Sequence, residues 1–343
     1  MTNKVIFGIN LITALLLVFS MFTSLIAPSR FPALSLLSLL TLPIIGVNIV
    51  FAIYWLILWN RRFFVSTLLV VLSHFYFGPF FMGQKLNLKT VAAPVLDGIY
   101  LTLTSHNVHL FNLYGDEAAR NSTQKEFDYF ISASGSEVLC LQEFTKEHKV
   151  DFSDFPHQYI YFKPPYRLMG HAILSKYPMV NQGSLEFDQT ANNAIYADLL
   201  IGQDTIRVYN LHLQSLGINP EVDIAQQGGA ESIRTKMSNT FVRQQSQLNH
   251  LMKHLESVNY PVVIAGDLNN TAFSYVYTKL ATHFNDAFQI AGSGLGATYY
   301  FNGLPLRIDF IFTDPKISVQ RYWTEEHSSS DHLPITAKLK LNP

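Results

Sequence analysis

The sequence predicts a mixed α/β domain built around one large β core, carried behind an apolar N-terminal region. No Asp or Glu precedes Asp97, so the first quarter of the chain is chemically unlike the rest. From residue 99 onward, short β-branched runs alternate with amphipathic stretches at helical spacing, the pattern of a packed strand-and-helix domain. Most of those apolar runs also end in a polar residue able to bind a metal or move a proton.

Composition sharpens this division. The 343 residues are 48% hydrophobic and only 14% charged, against about 25% charged in an ordinary globular chain. From Lys85 onward, 20 Lys and Arg face 25 Asp and Glu, a formal charge of −5. That balance argues against a strongly basic nucleic-acid surface. The single cysteine, Cys140, lies in the apolar run Val138-Leu139-Cys140-Leu141. It reads as a buried structural thiol and leaves no intrachain disulfide.

Three uncharged apolar runs open the chain, at 5–27, 33–59 and 63–83. Each matches the ~20 residues that a helix needs to cross ~30 Å of hydrocarbon. Three in a row without one acid favour three transmembrane helices over a soluble core, and a signal peptide explains only the first. Tyr54, Trp55 and Trp59 suit a membrane interface. Pro43 is tolerable in a membrane helix, and His74 is assigned a packing or interfacial role. Arg61-Arg62 in a tight loop points that loop to the cytoplasm, which puts the catalytic domain outside it. The expected organisation is a three-span region at 1–84, a linker at 85–98 and a catalytic domain at 99–343.

Within that domain, 99–108 is strand-like. A helix is expected over 122–133, with Asn121 or Ser122 as its N-cap and Phe127, Phe130 and Ile131 on one face. Strands are expected at 138–142, 159–162 and 171–175, and a hairpin at 194–201 and 205–213 across Gly202-Gln203-Asp204. An insert at 216–237 reads as a surface loop. A second amphipathic helix spans 238–257, a third helix about 272–282, and strands 307–312 and 335–341 close the chain.

The run Val262-Val263-Ile264-Ala265 is a buried strand that stops at Gly266-Asp267-Leu268-Asn269. In extended backbone, residues i and i+2 point to one side, so Asp267 and Asn269 can converge on one substrate atom. Alone, Gly-Asp-x-Asn is equally a turn. The same grammar recurs at Asn107 after 100–104, at Glu143 after 138–142, at His212 within 208–213, at Asp309 within 307–312, and at Asp331-His332. Asp309, flanked by Ile308 and Phe310, needs a partner because a buried unpaired carboxylate is costly. Oxygen ligands such as Glu143 and Asn107 suit Mg²⁺ or Mn²⁺, and no zinc-type Cys/His cluster appears. A His–Asp pair supplies a base of fixed tautomer. No Gly-x-Ser-x-Gly elbow or Walker-type loop is present, which disfavours serine and NTP-driven chemistry.

Residues 99–341 resemble the endonuclease/exonuclease/phosphatase superfamily. The resemblance is carried, in order, by Ser105-His106-Asn107-Val108, Leu141-Gln142-Glu143, Gly170-His171-Ala172-Ile173-Leu174-Ser175, Asn210-Leu211-His212-Leu213, Gly266-Asp267-Leu268-Asn269, Arg307-Ile308-Asp309-Phe310 and Ser330-Asp331-His332-Leu333-Pro334. It implies a four-layer α-β-β-α sandwich and Mg²⁺-dependent phosphoester hydrolysis by in-line water attack. It implies Glu143 as main metal ligand, with Asn107 and Asp331 near the metal. It implies Asp267 and Asn269 as the pair orienting water and phosphate, His212 as a phosphate-stabilising or acid residue, and His332 as general base held by Asp309. His106 and His171 depart from the residue types usual at their positions.

The expected function is a membrane-anchored phosphodiesterase acting on phospholipid or sphingolipid head groups, with the bilayer and the phosphoester as partners and no protein partner. An anchored nuclease is the alternative, followed by a phosphomonoesterase and by a degenerate scaffold.

Overall fold

The computed structural model describes residues 2–78, 81–83, 98–218 and 226–341. The chain divides into two compact units: Met1–Phe81 with Leu216–Gln245 and Asn270–Lys279, and Met82–Ser215 with Ser246–Asn269 and Leu280–Pro343.

The first unit holds helices α1 (Thr2–Met21), α2 (Leu37–Ile57) and α3 (Phe63–Phe77). Two apolar helical stretches, Asn3–Ser24 and Pro32–Ile57, are long enough to cross a membrane. The third is not: α3 has 15 residues and stops at Gly78, which takes φ 75°. At 1.5 Å per residue it covers about 22 Å, short of the hydrocarbon thickness. The expected three full spans are therefore two plus a shorter helix. Large apolar side chains point outward, among them Val50, Ile57 and Phe75, the last 80% exposed. The polar residues are instead turned inward and paired. Asn10 donates to Ser66 Oγ (2.6 Å), Ser66 donates to Asn48 Oδ1 (3.1 Å), and Trp55 Nε1 donates to Asn10 Oδ1 (3.0 Å). An apolar exterior around small hydrogen-bonded residues is how helices pack in lipid. His74 is exposed and sits edge-on to Phe75.

The same unit includes the segment that follows Asn269 in the chain. Thr23 Oγ1 donates to Phe273 O (2.7 Å), Ser38 Oγ to Asn270 Oδ1 (2.9 Å) and Thr271 Oγ1 to Ser38 O (2.7 Å). Phe273 is buried with Leu17 and Ile45 and meets Phe77 edge-on.

The second unit holds the strands: β1 (Ile99–Asn107), β2 (Val138–Phe144), β3 (His157–Tyr161), β4 (Gly170–Ser175), β5 (Met179–Ser184), β6 (Ala194–Ile201), β7 (Asp204–His212), β8 (Val262–Asp267), β9 (Asn285–Asp286), β10 (Tyr299–Phe301), β11 (Leu304–Leu306), β12 (Asp309–Thr313), β13 (Ile317–Thr324) and β14 (Ile335–Leu341). They form two six-stranded sheets, β13-β14-β1-β2-β4-β3 and β5-β6-β7-β8-β12-β9, and the small ribbon β10-β11. Leu101, Leu103, Val138 and Ile173 from one sheet share a core with Ala197, Val208, Val263 and Ile311 from the other, so the sheets pack face to face. On the outer side of the first sheet, Leu139, Leu141, Phe144 and Leu174 pack with Phe127 of α4 (Glu117–Ser134). Leu248 and Leu251 of α5 (Gly229–Leu255) are buried, as their spacing predicts. This is the expected α/β sandwich.

Several boundaries move for local reasons. Helix α4 begins at Glu117, not 122, because Asp116 in extended backbone caps it, its Oδ1 accepting from Ala119 N at 2.8 Å. Part of the expected insert loop is helix, since α5 starts at Gly229; residues 219–225 of that insert lie outside the described residues, as does nearly all of the 85–98 linker. The helix expected from 272 is α6 (Tyr275–Ala281), because Ser274 N and Thr271 O close a turn ahead of it (3.1 Å).

A buried polar staple joins the sheets. Asn210 on β7 donates to Leu141 O (2.8 Å) and Ala172 O (2.9 Å), and its Oδ1 accepts from Gln142 Nε2 (2.7 Å). Removing one partner strands several buried groups, at about 1–3 kcal/mol each. Asn210→Ala is expected to lower the melting temperature of the detergent-purified chain by at least several degrees; an unchanged melt means the staple contributes nothing.

Candidate functional site

The second sheet brings three site residues into one row. In the parallel β7–β8 pair, His212 is opposite Asp267, and in the antiparallel β12–β8 pair, Asp309 is opposite Asp267. Gly266 permits this. A Cβ there would lie 1.8 Å from Leu211 O, and its φ is +150°, so only glycine fits against β7. The first sheet ends nearby in Asn107 and Glu143. Glu143 takes φ +50° at an irregularity in the β2–β4 ladder between Leu141 and Phe144, which turns it out of the strand pattern. A left-handed conformation at a non-glycine residue is strained and recurs at functional sites.

Hydrogen bonds tie the two strand ends together. Asn107 Nδ2 lies 3.3 Å from Glu143 Oε1 and 3.2 Å from Asp267 Oδ2, both of which accept. Asp267 Oδ1 accepts from Asn269 N at 2.7 Å, and its Oδ2 accepts from Asn269 Nδ2 at 3.1 Å. His332 Nδ1 is 2.9 Å from Asp309 Oδ2, and its Nε2 is 3.9 Å from Asp267 Oδ2. His212 is buried, with Nε2 3.6 Å from Asp267 Oδ2 and 3.9 Å from Glu143 Oε1; among the described residues neither ring nitrogen has a hydrogen-bond partner.

Asp331 lies apart from this buried group. Its side chain is 47% exposed, and its Oδ1 pairs with His109 Nδ1 at 3.2 Å. Burial works against its charge, but His109, His332 and Ser330 together outweigh it and hold Asp331 down at about 2.

The electrostatics follow from crowding carboxylates out of water. Burial and the neighbouring Asp309 raise the Asp267 carboxyl. Burial also raises Glu143. For His332, burial opposes the cation, yet the charges of Asp309 and Asp267 overcome it and push the ring up to about 10. His212, which has no such hydrogen-bonded partner, is driven well below its ordinary value by burial.

This donor set fits a hard cation. Asp267, Asp309 and His332 offer ligand atoms all within 4.8 Å of one another. Among the described residues, no Lys or Arg pairs with Glu143, Asp267, Asp309 or Asp331. Asp309 Oδ1 is buried without a hydrogen-bond partner among the described residues. Oxygen donors in negative excess select Mg²⁺-like over thiophilic ions.

Four residues that the sequence reading left aside support the site. Thr298 Oγ1 accepts from Ile308 N and Asp309 N, each at 3.2 Å, which fixes the start of β12. The Tyr299 ring lies 5.0 Å from that of His332. His171 is buried 5.7 Å from the His212 ring, its Nε2 without a hydrogen-bond partner among the described residues. His109 occupies a run of four left-handed residues, His109 to Asn112. Only His171 left a trace in the sequence, as an unusual residue within a recognised motif.

Comparison with known proteins identifies the family and the fold. The model of the Endonuclease/Exonuclease/phosphatase family matches residues 105–332. The chain belongs to that family, and it is a metal-dependent hydrolase of phosphoester bonds. A domain of unknown function matches residues 3–80. Among solved structures, the endonuclease/exonuclease/phosphatase from Bacteroides vulgatus is 19% identical with TM-score 0.55, over 71% of this chain and 99% of that one. The human Nocturnin catalytic domain with bound sulfate is 17% identical with TM-score 0.51, over 71% and 95%. Truncated Caenorhabditis elegans TDP2 is 17% identical with TM-score 0.52, over 70% and 98%. These structural likenesses carry the fold. No curated protein matches the chain.

The raised His332 gives a pH prediction. Its folded value of about 10 exceeds the ordinary 6.5, so the His332–Asp309 pair stabilises the fold fully below pH 6.5, and that contribution is lost as pH rises through about 10. Melting temperature in EDTA should therefore fall across pH 6.5–10, and Asp309→Asn should flatten the slope. A level wild-type profile would contradict the pairing.

Proposed function

We propose that this member of the endonuclease/exonuclease/phosphatase family is a membrane-anchored, Mg²⁺-dependent phosphodiesterase that cleaves phospholipid or sphingolipid head groups by in-line attack of water. The observation that carries the hydrolytic reading is the His332–Asp309 hydrogen bond set beside the buried Asp267, to which Asn269, left-handed just past the end of β8, donates. Asp309 fixes the His332 ring through Nδ1 and leaves Nε2 for the proton of an attacking water. Asp267 and Asn269 orient that water and the phosphoryl group. His212, neutral and without hydrogen-bond partners, offers its Nε2 to a phosphate oxygen or the leaving group.

Glu143 and Asn107 would hold the metal, with Asp331 at its outer edge, while the neighbouring group Asp267, Asp309 and His332, which could itself hold a cation, is given to water and phosphate in this reading; bound at Glu143, Mg²⁺ would supply positive charge for the phosphoryl oxygens. Asp331 is the most exposed member of this set because His109 draws its carboxylate aside. Positive charge added beside Asp267 and Asp309 would lower His332 toward its neutral, base-competent form.

Two features support the anchored, lipid-directed reading. Helices Asn3–Ser24 and Pro32–Ile57 have spanning length with apolar side chains outward. Their unit also includes Asn270–Lys279, held by Ser38, Thr23 and a buried Phe273. The net acidity beyond Lys85 disfavours tracking a polyanion. The Arg61-Arg62 loop supports an extracytoplasmic catalytic domain.

The test is hydrolysis by detergent-purified full-length chain, with Mg²⁺ or EDTA, on sphingomyelin or phospholipid vesicles and on plasmid DNA in parallel. Head-group release is expected with Mg²⁺, without DNA nicking. Glu143→Ala should abolish it, and His332→Ala should slow turnover by roughly 10²–10⁴-fold with the melt preserved. DNA nicking under the same controls would make the chain an anchored nuclease. Undiminished activity of Glu143→Ala at saturating Mg²⁺ would remove that residue from the metal site.

A further inference from the structure

Asn269 takes φ +48°, a sparsely populated conformation that a non-glycine residue keeps where its surroundings fix it. On the upstream side its N–H and Nδ2 both donate to the Asp267 carboxylate, and Nδ2 also donates to Leu213 O at 3.0 Å. On the downstream side the chain passes at once into the helical unit. Asn269 ends a segment of the strand unit, and Asn270 begins a segment of the helical one. A single peptide bond therefore joins Asn269 to a residue whose own partners belong with the helices.

Those partners are specific. Asn270 and Thr271 are buried. Asn270 Nδ2 donates to Gln244 Oε1 (2.9 Å), and its Oδ1 accepts from Thr271 N (2.9 Å) and from Ser38 Oγ (2.9 Å), which shares its proton with Ser35 O (2.7 Å). Thr271 Oγ1 donates to Ser38 O (2.7 Å) and accepts from Phe273 N (3.3 Å). Ser38 is itself buried, one residue into α2. Two hydrogen bonds of opposite direction thus clamp one residue of a spanning-length helix to the two residues that follow Asn269. Apolar side chains would suffice to bury a loop; a satisfied polar network fixes its geometry as well.

We propose that Asn270 and Thr271 are positioning residues for hydrolysis: through Ser38 they let α2 set the conformation of Asn269, so that the helical unit takes part in turnover as well as anchoring the chain. This role rests on the reading of Asn269 as a residue that orients water and phosphate. Loss of the Thr271–Ser38 bond frees the downstream side of the 269–270 peptide, and Asn269 leaves the backbone conformation that keeps its carboxamide on Asp267. Misplacing an orienting group by about 1 Å costs on the order of 10²-fold in rate.

The test compares Thr271→Val, which keeps the shape and removes the hydroxyl, with Thr271→Ser, which restores it, in the detergent-purified full-length chain. Ser38→Ala is a second, milder variant. Ser73→Ala is the control, a buried helix serine that donates only to Val70 O of its own helix. Amide hydrogen exchange is read over residues 268–274, and turnover on bis(4-nitrophenyl) phosphate with Mg²⁺. In Thr271→Val, exchange over 268–274 should speed at least about fivefold, with α1 to α3 unchanged, and kcat should fall at least about tenfold with KM within about twofold. Thr271→Ser should return both to wild type, Ser38→Ala should shift both in the same direction by less, and Ser73→Ala should move neither. Unchanged exchange over 268–274, faster exchange throughout α1 to α3, or local loosening with undiminished kcat would each overturn the proposal. A wild-type chain that turns over no phosphodiester would strike the hydrolytic reading instead, and the exchange rates would still decide whether the helical unit holds Asn269.

Discussion

Asp267 and Asp309 lie opposite each other in adjacent strands, each about 1% exposed or less. Two carboxylates so placed repel one another and have lost their water, and neither can stay ionised without positive charge. His332 supplies part of it through its 2.9 Å hydrogen bond to Asp309. A metal ion bound beside them would supply the rest. Much of the site answers this one constraint: Asn107 and Asn269 donate hydrogen bonds to Asp267, and His332 pairs with Asp309.

The fold holds the pair in place through backbone rather than through side-chain packing alone. Gly266 lets β8 press against Leu211 so closely that any side chain would collide. Thr298 takes up the two amides at the start of β12, and Asn269 folds its own amide back onto Asp267. Asn210 and Gln142, fully buried behind the site, join the two sheets, so that Asn107 and Glu143 on one sheet meet Asp267 on the other. A polar network of this kind is costly if half satisfied, and its geometry is correspondingly specific. The N-terminal helices solve the opposite problem: their exterior is apolar, and their few amides and hydroxyls are paired inside.

Much of this was legible in the chain. The alternation of Ile335, Ala337 and Leu339 fixed a strand with one buried face, and the spacing of Leu248 and Leu251 fixed a helix, because periodicity reports burial directly. Asp309 announced its need for a partner by sitting between Ile308 and Phe310. Boundaries were less legible. Asp116 caps α4 five residues ahead of the expected cap, since a cap is a choice among several competent residues that packing settles. Strand β5 has only exposed and half-buried residues, and β13 mixes exposed with buried ones, so neither left a clean period. The third apolar run is long enough in sequence, yet Gly78 ends its helix at 15 residues.

The sequence by itself determined the two-part character of the chain, the strand-and-helix core and the identity of the acids, amides and histidines that end its strands, because composition and periodicity are local properties. Only the tertiary structure decided which of those groups meet. Register placed His212 and Asp309 on either side of Asp267, and loop geometry drew Asp331 aside to His109. It also brought Asn270 and Thr271 to Ser38, from positions more than two hundred residues apart in the chain. Contacts of that range depend on how strands pair and sheets stack, and no local pattern encodes them.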